Sequence, residues 1–143
     1  MADNYDLPLY PSVNGLYFQP PVDHTFVGDS YVHGTTAVSG VIIMGLVVLQ
    51  SGSIWGLADA DVNSDTMIGI ACATVNSGDT VNIITPPCIA RDDTWTWVAG
   101  QPVYLSATPS MFTGTSGEGA LIRKLGYAYN ADNIYFTGYG ATL

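Results

Sequence analysis

From Ala37 onward, short apolar runs alternate with clusters of turn residues along the chain. The runs are rich in β-branched and aromatic residues and are bounded by Gly, Asn, Asp and Ser, as is typical of strands in a sandwich or barrel. The tetrapeptides NSGD (76–79) and NADN (130–133) are typical of tight turns between strands. We predict strands in the runs SGVIIMGLVVLQ, TMIGIACATV, TVNIIT, TWTWVAG, QPVYLSA, IRKLGYAYN and NIYFTG.

The sequence contains no pattern of an amphipathic helix. No stretch places apolar residues at i, i+3, i+4 and i+7 over three turns. A chain of 143 residues has the length of one domain. The pattern therefore predicts an all-β fold, with residues 37–143 forming a single β-sandwich or barrel.

The predicted strands form an imperfect internal repeat. Residues 67–85 (MIGIACATVNSGDTVNIIT) align with residues 124–137 (KLGYAYNADNIYFT), and residues 45–57 align in outline with residues 100–113. Each copy is expected to contain a strand, a polar loop, a strand, a turn and a strand. Gly69 and Gly126 take equivalent positions, where we expect a bulge or the close approach of another backbone.

Residues 1–36 differ from the rest of the chain. They contain four prolines, which disfavour both helix and central strand, so we predict an extended N-terminal arm with at most one short strand around residues 15–19. The arm is too apolar to remain simply disordered. It must pack on its own domain or on a neighbouring subunit, and we favour the neighbour. The side chains expected to make this interface are Tyr5, Leu7, Leu9, Tyr10, Tyr17 and Phe18.

Composition and charge restrict the partners. Charged residues make up 10% of the chain, and the formal net charge is −9, with only three Lys and Arg side chains. Binding of nucleic acid requires a patch of basic side chains, so DNA and RNA are not expected partners, and the same argument disfavours anionic membrane surfaces. The apolar run AVSGVIIMGLVVL is too short to cross a bilayer. The N-terminus lacks the basic and apolar regions of a signal peptide, so we expect the chain to be made in a cytoplasm.

One loop has the spacing of a calcium site. Asp59, Asp61, Asn63 and Asp65 occur at every second position, as the first ligands of an EF-hand loop do. The sixth position of this loop is Ser64 instead of Gly, and the twelfth is an apolar residue instead of Glu. We therefore favour a solvated polar loop over a metal site.

Nothing in the sequence requires an active site or a cofactor. The two histidines, His24 and His33, are nine residues apart and are weak metal ligands. The segment GTSGE (114–118) lacks the last glycine of a nucleophile elbow. The adjacent carboxylates of Asp92 and Asp93 would point to opposite faces of a strand and cannot form a glycosidase pair. We expect no catalytic residue and no cofactor.

The two cysteines do not indicate a disulfide scaffold or a zinc site. Cys72 lies in an apolar run and is expected to be a small core residue. Cys88 follows two prolines, and a bridge between Cys72 and Cys88 is the alternative.

Aromatic side chains are the remaining candidates for binding. Trp95 and Trp97 are expected on one face of a strand, and Tyr127 and Tyr129 repeat that spacing. Exposed coplanar rings of this kind could stack on sugars. The alternatives are that the rings form core or a protein interface, where Trp and Tyr provide large rigid contact areas.

The second half of the chain resembles small head-decoration (capsid cement) proteins of tailed bacteriophages. The resembling segment is residues 99–140, with a Gly-x-x-Val-Tyr-Leu motif, a Thr/Gly-rich loop at 113–120 and a Leu-Gly-Tyr-Ala strand followed by a closing strand. A looser resemblance extends to phage tail-fibre and tailspike modules. The matching residues are Gly100, Val103, Tyr104, Leu105, Leu125, Gly126, Tyr127, Ala128 and Ile134.

The resemblance implies a non-enzymatic β-fold on the exterior of a capsid. Proteins of this kind bridge neighbouring subunits of the major capsid protein, often as homotrimers. The apolar arm would then act as a strap that orders on binding to the shell. The looser resemblance implies the alternative, a carbohydrate-binding or receptor-binding module of a tail fibre.

Overall fold

The computed structural model describes residues 20, 22–36, 40–60, 67–115, 122–137 and 141–142. These residues form twelve β-strands, and the all-β fold class predicted from the sequence is confirmed. The described part of the chain has no helix long and apolar enough to span a membrane. The strands are β1 (Phe26–Val27), β2 (Tyr31–Thr36), β3 (Leu46–Ser51), β4 (Ile54–Leu57), β5 (Ile68–Ala71), β6 (Thr80–Ile84), β7 (Cys88–Arg91), β8 (Pro102–Leu105), β9 (Phe112–Thr113), β10 (Ile122–Ala128), β11 (Asn133–Phe136) and β12 (Ala141–Thr142).

The strands form two sheets. Strands β2-β4-β3-β5-β6 close into a barrel, and the second sheet has the order β1-β7-β11-β10-β8-β9, with β12 paired to β10. The barrel is closed by a parallel pair in which Thr35 lies opposite Ile54 and Thr36 opposite Trp55. Since β1 occupies the corresponding edge of β7, the second sheet remains open.

The two sheets are built from the same five-stranded unit. The barrel has the order β4-β3-β5-β6-β2, and the second sheet contains β9-β8-β10-β11-β7. Each strand of the first unit corresponds to the strand five places later, and all these neighbours pair antiparallel in both units. The topology agrees with the predicted internal repeat. It also adds a pair that the sequence alignment did not include, β2 and β7.

The two equivalent glycines lie where another backbone approaches closely. A Cβ on Gly69 would lie 2.9 Å from the carbonyl oxygen of Ile84, and a Cβ on Gly126 would overlap the carbonyl oxygen of Tyr135. Gly126 also adjoins an irregularity in the pairing of β10 with β8. Both glycines are therefore required by close packing against the next strand of their own unit.

The apolar side chains form two clusters on opposite faces of the barrel strands. The smaller cluster takes residues from every strand of the barrel, with Val32 at its margin, and so fills the barrel interior: Val41, Val47, Trp55, Ala71, Val81 and Ile83. The larger cluster joins Leu46, Val48, Ile68, Ile70 and Ile84 of the barrel to the second sheet, where Phe136, Leu125 and Ile134 are almost fully buried. Successive side chains of β3 point to opposite faces, so Val47 packs inside the barrel while Leu46 and Val48 pack against the second sheet.

The N-terminal arm is shorter than the predicted residues 1–36. Strand β2 pairs with β6 from Tyr31 to Thr35, and β1 pairs with β7, so residues 26–27 and 31–36 belong to the sheets and not to an arm. Their partners in these pairings are 45 to 64 residues away in the sequence, which a local pattern does not reveal. Residues 1–19, with the short strand expected near 15–19, lie outside the described residues.

Candidate functional site

An apolar groove lies between three loops of the described chain. Its volume is about 600 Å³, within the range of ligand and peptide sites. The loops are residues 40–45 before β3, residues 92–97 after β7 and residues 109–112 before and within β9. Its main apolar lining residues are Ile42, Ile43, Trp95, Trp97, Met111 and Phe112.

Hydrogen bonds hold two of these loops against the barrel. The Ser110 hydroxyl donates to the carbonyl of Leu46 at 2.6 Å, and the Ser110 amide donates to the carbonyl of Ala58 at 2.7 Å. The amide of Met44 donates to the carbonyl of Ala71 at 2.9 Å. Ser110 and Met44 both have positive φ, 68° and 73°. The loops are therefore fixed in conformations that non-glycine residues seldom adopt.

The segment expected to be a strand with Trp95 and Trp97 is a loop. The carboxylate of Asp92 accepts hydrogen bonds from the amide and the hydroxyl of Thr94, at 2.9 and 2.7 Å, and the amide of Trp95 donates to the carbonyl of Asp92. This Asx turn bends the chain directly after β7 and removes residues 93–98 from the sheet. The prediction of a strand here is wrong because Asp92 forms a local turn.

The two tryptophans face the groove without forming a flat platform. Their ring centroids are 6.0 Å apart and the ring planes are tilted by 57°. Trp95 packs edge-on against Phe112, with centroids 5.4 Å apart, and both tryptophans contact the larger core. The Trp97 indole nitrogen is buried and has no hydrogen-bond partner among the described residues. The two tilted and partly buried tryptophan rings resemble the anchor of a protein interface. They do not resemble the coplanar exposed rings that stack on sugars.

Two large apolar side chains on the lining of the groove are exposed to solvent. Ile42 is 72% exposed and Met111 is 53% exposed. Val98, at the end of the tryptophan loop, is 70% exposed. Ile42 and Met111 line the same groove, and exposed apolar side chains that lie together in this way indicate an interaction surface. We call Ile42, Trp95, Trp97 and Met111 the groove surface.

The predicted tyrosines form a separate surface on the second sheet. Tyr127 and Tyr129 are 39% and 37% exposed and lie on the same face of the chain, since Ala128 between them is buried. Tyr129 packs edge-on against Tyr135, with centroids 5.5 Å apart, and the ammonium of Lys124 lies over the ring of Tyr127 at 4.1 Å. Tyr127 and Tyr129 are not among the residues that line the groove, whereas Trp95 and Trp97 are.

The described part of the predicted calcium loop contains one of its four candidate ligands. Asp59 is half-buried between the buried residues Ala58 and Ala60. Asp61, Asn63 and Asp65 lie outside the described residues, so the predicted solvated loop stays a prediction. The interface residues predicted in the arm also lie outside them: Tyr5, Leu7, Leu9, Tyr10, Tyr17 and Phe18.

A polar cluster lies next to the groove, where the described chain begins. The guanidinium of Arg91 forms a bidentate pair with Asp93, at 2.6 and 3.3 Å, and donates to the carbonyl of the buried Pro20 at 3.0 Å. The hydrogen bond with Asp93 raises the pKa of Arg91. Asp23 and His24 lie beside this pair. Spacing in the sequence could not reveal this cluster, because its members come from segments about 70 residues apart.

Both cysteines are free thiols. Burial raises the pKa of Cys88 far above its ordinary value, and burial also raises the pKa of the half-buried Cys72. Neither thiol is activated as a nucleophile, which needs a lowered pKa. Cys72 and Cys88 therefore do not form the disulfide bridge that was the alternative expectation.

Comparison with known proteins does not assign the chain to a family. The sequence matches no protein-family model, and no curated protein is significantly similar to it.

Proposed function

We propose that this chain is a non-enzymatic structural protein of a bacteriophage virion that decorates the exterior of the capsid and cements neighbouring subunits of the major capsid protein. The observation that supports this most is the groove surface, where Ile42 and Met111 are 72% and 53% exposed beside two tryptophans. A partner that covers this surface would bury aromatic anchors at its centre, as stable interfaces do.

The energetics of such a contact come from apolar burial. Complete burial of an exposed Ile or Met side chain contributes about 1.5–3 kcal/mol. The net charge of −9 keeps a chain with few charged residues soluble before it binds. An acidic protein also suits the outside of a shell more than its DNA-filled interior.

The N-terminal arm is proposed as the second contact. Its apolar residues, from Tyr5 to Phe18, would strap the domain to the shell or to a neighbouring copy in a homo-oligomer, for which a trimer is favoured. The carbonyl of the buried Pro20 accepts a hydrogen bond from Arg91 at the end of β7. The arm would therefore extend from a fixed point next to the groove surface.

Truncation tests the arm. Because β2 belongs to the barrel, a deletion of residues 1–36 would remove a core strand, so the informative variant lacks only residues 1–19. We expect this variant to keep the melting temperature of the domain and to bind at least about tenfold more weakly to shells of the major capsid protein encoded in the same genome. Unchanged binding would exclude the arm as a strap.

The tyrosine face favours a second candidate function, a carbohydrate-binding or receptor-binding module of a tail fibre. Tyr127 and Tyr129 present exposed rings on one face, beside the ammonium of Lys124. Rings in this arrangement could stack on sugars. Glycan-array binding by the wild type that is lost in Tyr129→Ala and retained in Trp97→Ala would favour this candidate. An array without signal would exclude it.

A further inference from the structure

One imidazole and two carboxylates converge beside the groove. The Nε2 atom of His24 lies 3.6 Å from a carboxylate oxygen of Asp23 and 3.7 Å from a carboxylate oxygen of Asp92. The three ligand atoms lie within 4.8 Å of one another. We propose that Asp23, His24 and Asp92 form a binding site for a divalent first-row transition-metal ion such as Zn²⁺.

The distances suit a shared ion better than direct hydrogen bonds. Both nitrogen–oxygen separations exceed the hydrogen-bond range. Ligands at about 2.0–2.2 Å from a zinc ion, at angles of about 110–120°, are about 3.3–3.8 Å apart. The imidazole nitrogen is thus separated from each carboxylate oxygen by the distance that a common ion requires.

Hydrogen bonds hold the carboxylates of Asp23 and Asp92 and the backbone of His24. The Asp23 carboxylate accepts the amide of Asp93 at 2.8 Å, and the amide of His24 donates to the carbonyl of Arg91 at 3.0 Å. One oxygen of Asp92 accepts two hydrogen bonds from Thr94, which turns the other oxygen toward His24. Outer-shell hydrogen bonds of this kind fix ligands in metal sites.

The local charge also suits a dication. The three carboxylates of Asp23, Asp92 and Asp93 and the guanidinium of Arg91 together carry a formal charge of −2, although Arg91, which pairs with Asp93, also attracts Asp23. The side chain of Asp92 is only 13% exposed, whereas those of His24 and Asp23 are 37% and 41% exposed. The site is therefore anchored on a mostly buried carboxylate and open to an ion from solvent. Imidazole as a ligand favours Zn²⁺ over Mg²⁺.

The ion would fasten the short strand β1 to the second sheet. Asp23 and His24 precede β1, whereas Asp92 follows β7, the strand with which β1 pairs. Two residues per strand give a weak pairing at a sheet edge, and a metal cross-link would stabilise it. This inference does not rest on the proposed capsid function.

Calorimetric titration of the full chain with zinc sulfate tests the site. We expect one Zn²⁺ per chain in the wild type, and binding at least about tenfold weaker in His24→Ala and Asp92→Asn. His33→Ala is the matched control, since it removes the only other imidazole, and it should bind like the wild type. Mg²⁺ should bind at least about tenfold more weakly than Zn²⁺.

The location of the ion is checked by hydrogen exchange. Zn²⁺ should slow exchange of the His24 and Arg91 amides, which link the start of β1 to β7, in the wild type but not in His24→Ala. Melting curves without zinc establish that each variant is folded, and Asp23→Asn replaces Asp92→Asn if the latter is not. Absence of 1:1 binding, or binding unchanged in His24→Ala, would overturn the proposal.

Discussion

Within the described part of the chain, three non-glycine residues have left-handed backbone conformations, and each lies at a candidate site. Met44 and Ser110 belong to the groove loops, and His24, with φ of 59°, is the imidazole of the polar cluster. Such residues cost free energy and persist where the surrounding hydrogen bonds enforce them. The amides of all three donate to strand or loop carbonyls at 2.7–3.0 Å. Backbone strain in this fold is therefore concentrated at the surfaces to which we assign binding.

Gly126 should tolerate no side chain. A Cβ there would overlap the carbonyl oxygen of Tyr135, whereas a Cβ on Gly78 would meet nothing within 4 Å. Gly78 has a φ of 84° and open space around the Cβ position, so Gly78→Ala is the control for an alanine that has a backbone cost and meets no neighbour. We expect Gly126→Ala to lower the free energy of unfolding by about 3 kcal/mol and Gly78→Ala by about 1 kcal/mol in urea denaturation. Equal effects would contradict the close approach.

Labelling should distinguish the two thiols. Burial raises the pKa of Cys72 and, more strongly, that of Cys88, so both are neutral at pH 8 and thiolate forms only at higher pH. We expect iodoacetamide to modify Cys72 slowly, with a rate that still rises above pH 9, and to modify Cys88 only on unfolding. Mass spectrometry of timed samples measures this. Rapid labelling of Cys88 in the native protein would contradict its burial.

At the scale of elements, the barrel is organised around Trp55. This side chain is 3% exposed, and its ring occupies the space that a Cβ on Gly34 of β2 would take. Trp55 lies opposite Thr36 in the parallel pair that closes the barrel. Closure therefore depends on a bulky residue on β4 that meets a residue without a side chain on β2.

Replacement of Trp55 should destabilise the whole domain. We expect Trp55→Ala to lower the free energy of unfolding by about 3–5 kcal/mol, since it leaves a cavity inside the barrel. Ile54→Ala, on the same strand but at a side chain that is 42% exposed, should cost less than about 1.5 kcal/mol. Chemical denaturation followed by circular dichroism compares the two. A larger loss in Ile54→Ala would show that the barrel interior is misassigned.

The sequence predicted the repeated elements but not how they close. The hairpins around NSGD and NADN, and the glycines at 69 and 126, could be identified because turn residues and strand spacing are local signals. The strands β2 and β7 could not be predicted, since short runs pair with segments far along the chain. The closing β2–β4 pair is parallel and nonlocal, so no hairpin signal marks it.

At the scale of the whole molecule, the candidate binding surfaces come from loops of both units. The groove surface combines residues 40–45 of the first unit with residues 92–97 and 109–112 of the second. Trp95 and Trp97 could be selected from the sequence because aromatic side chains are enriched at binding surfaces. Ile42 could not, since it lies inside a predicted strand run, where an apolar residue is expected in the core. Met111 could not either, since the turn that exposes it depends on hydrogen bonds to residues far along the chain.

The central claim is that the groove surface binds the capsid exterior. The direct test is co-sedimentation of the protein with assembled shells of the major capsid protein from the same genome. We compare the wild type with Ile42→Glu/Met111→Glu. Met67→Glu is the control, because this side chain is 50% exposed but lies beside Leu49, outside the groove lining. We expect the wild type and the control to bind, and the double variant to bind at least about 30-fold more weakly. Equal binding by all three proteins, or no binding by the wild type, would contradict the claim.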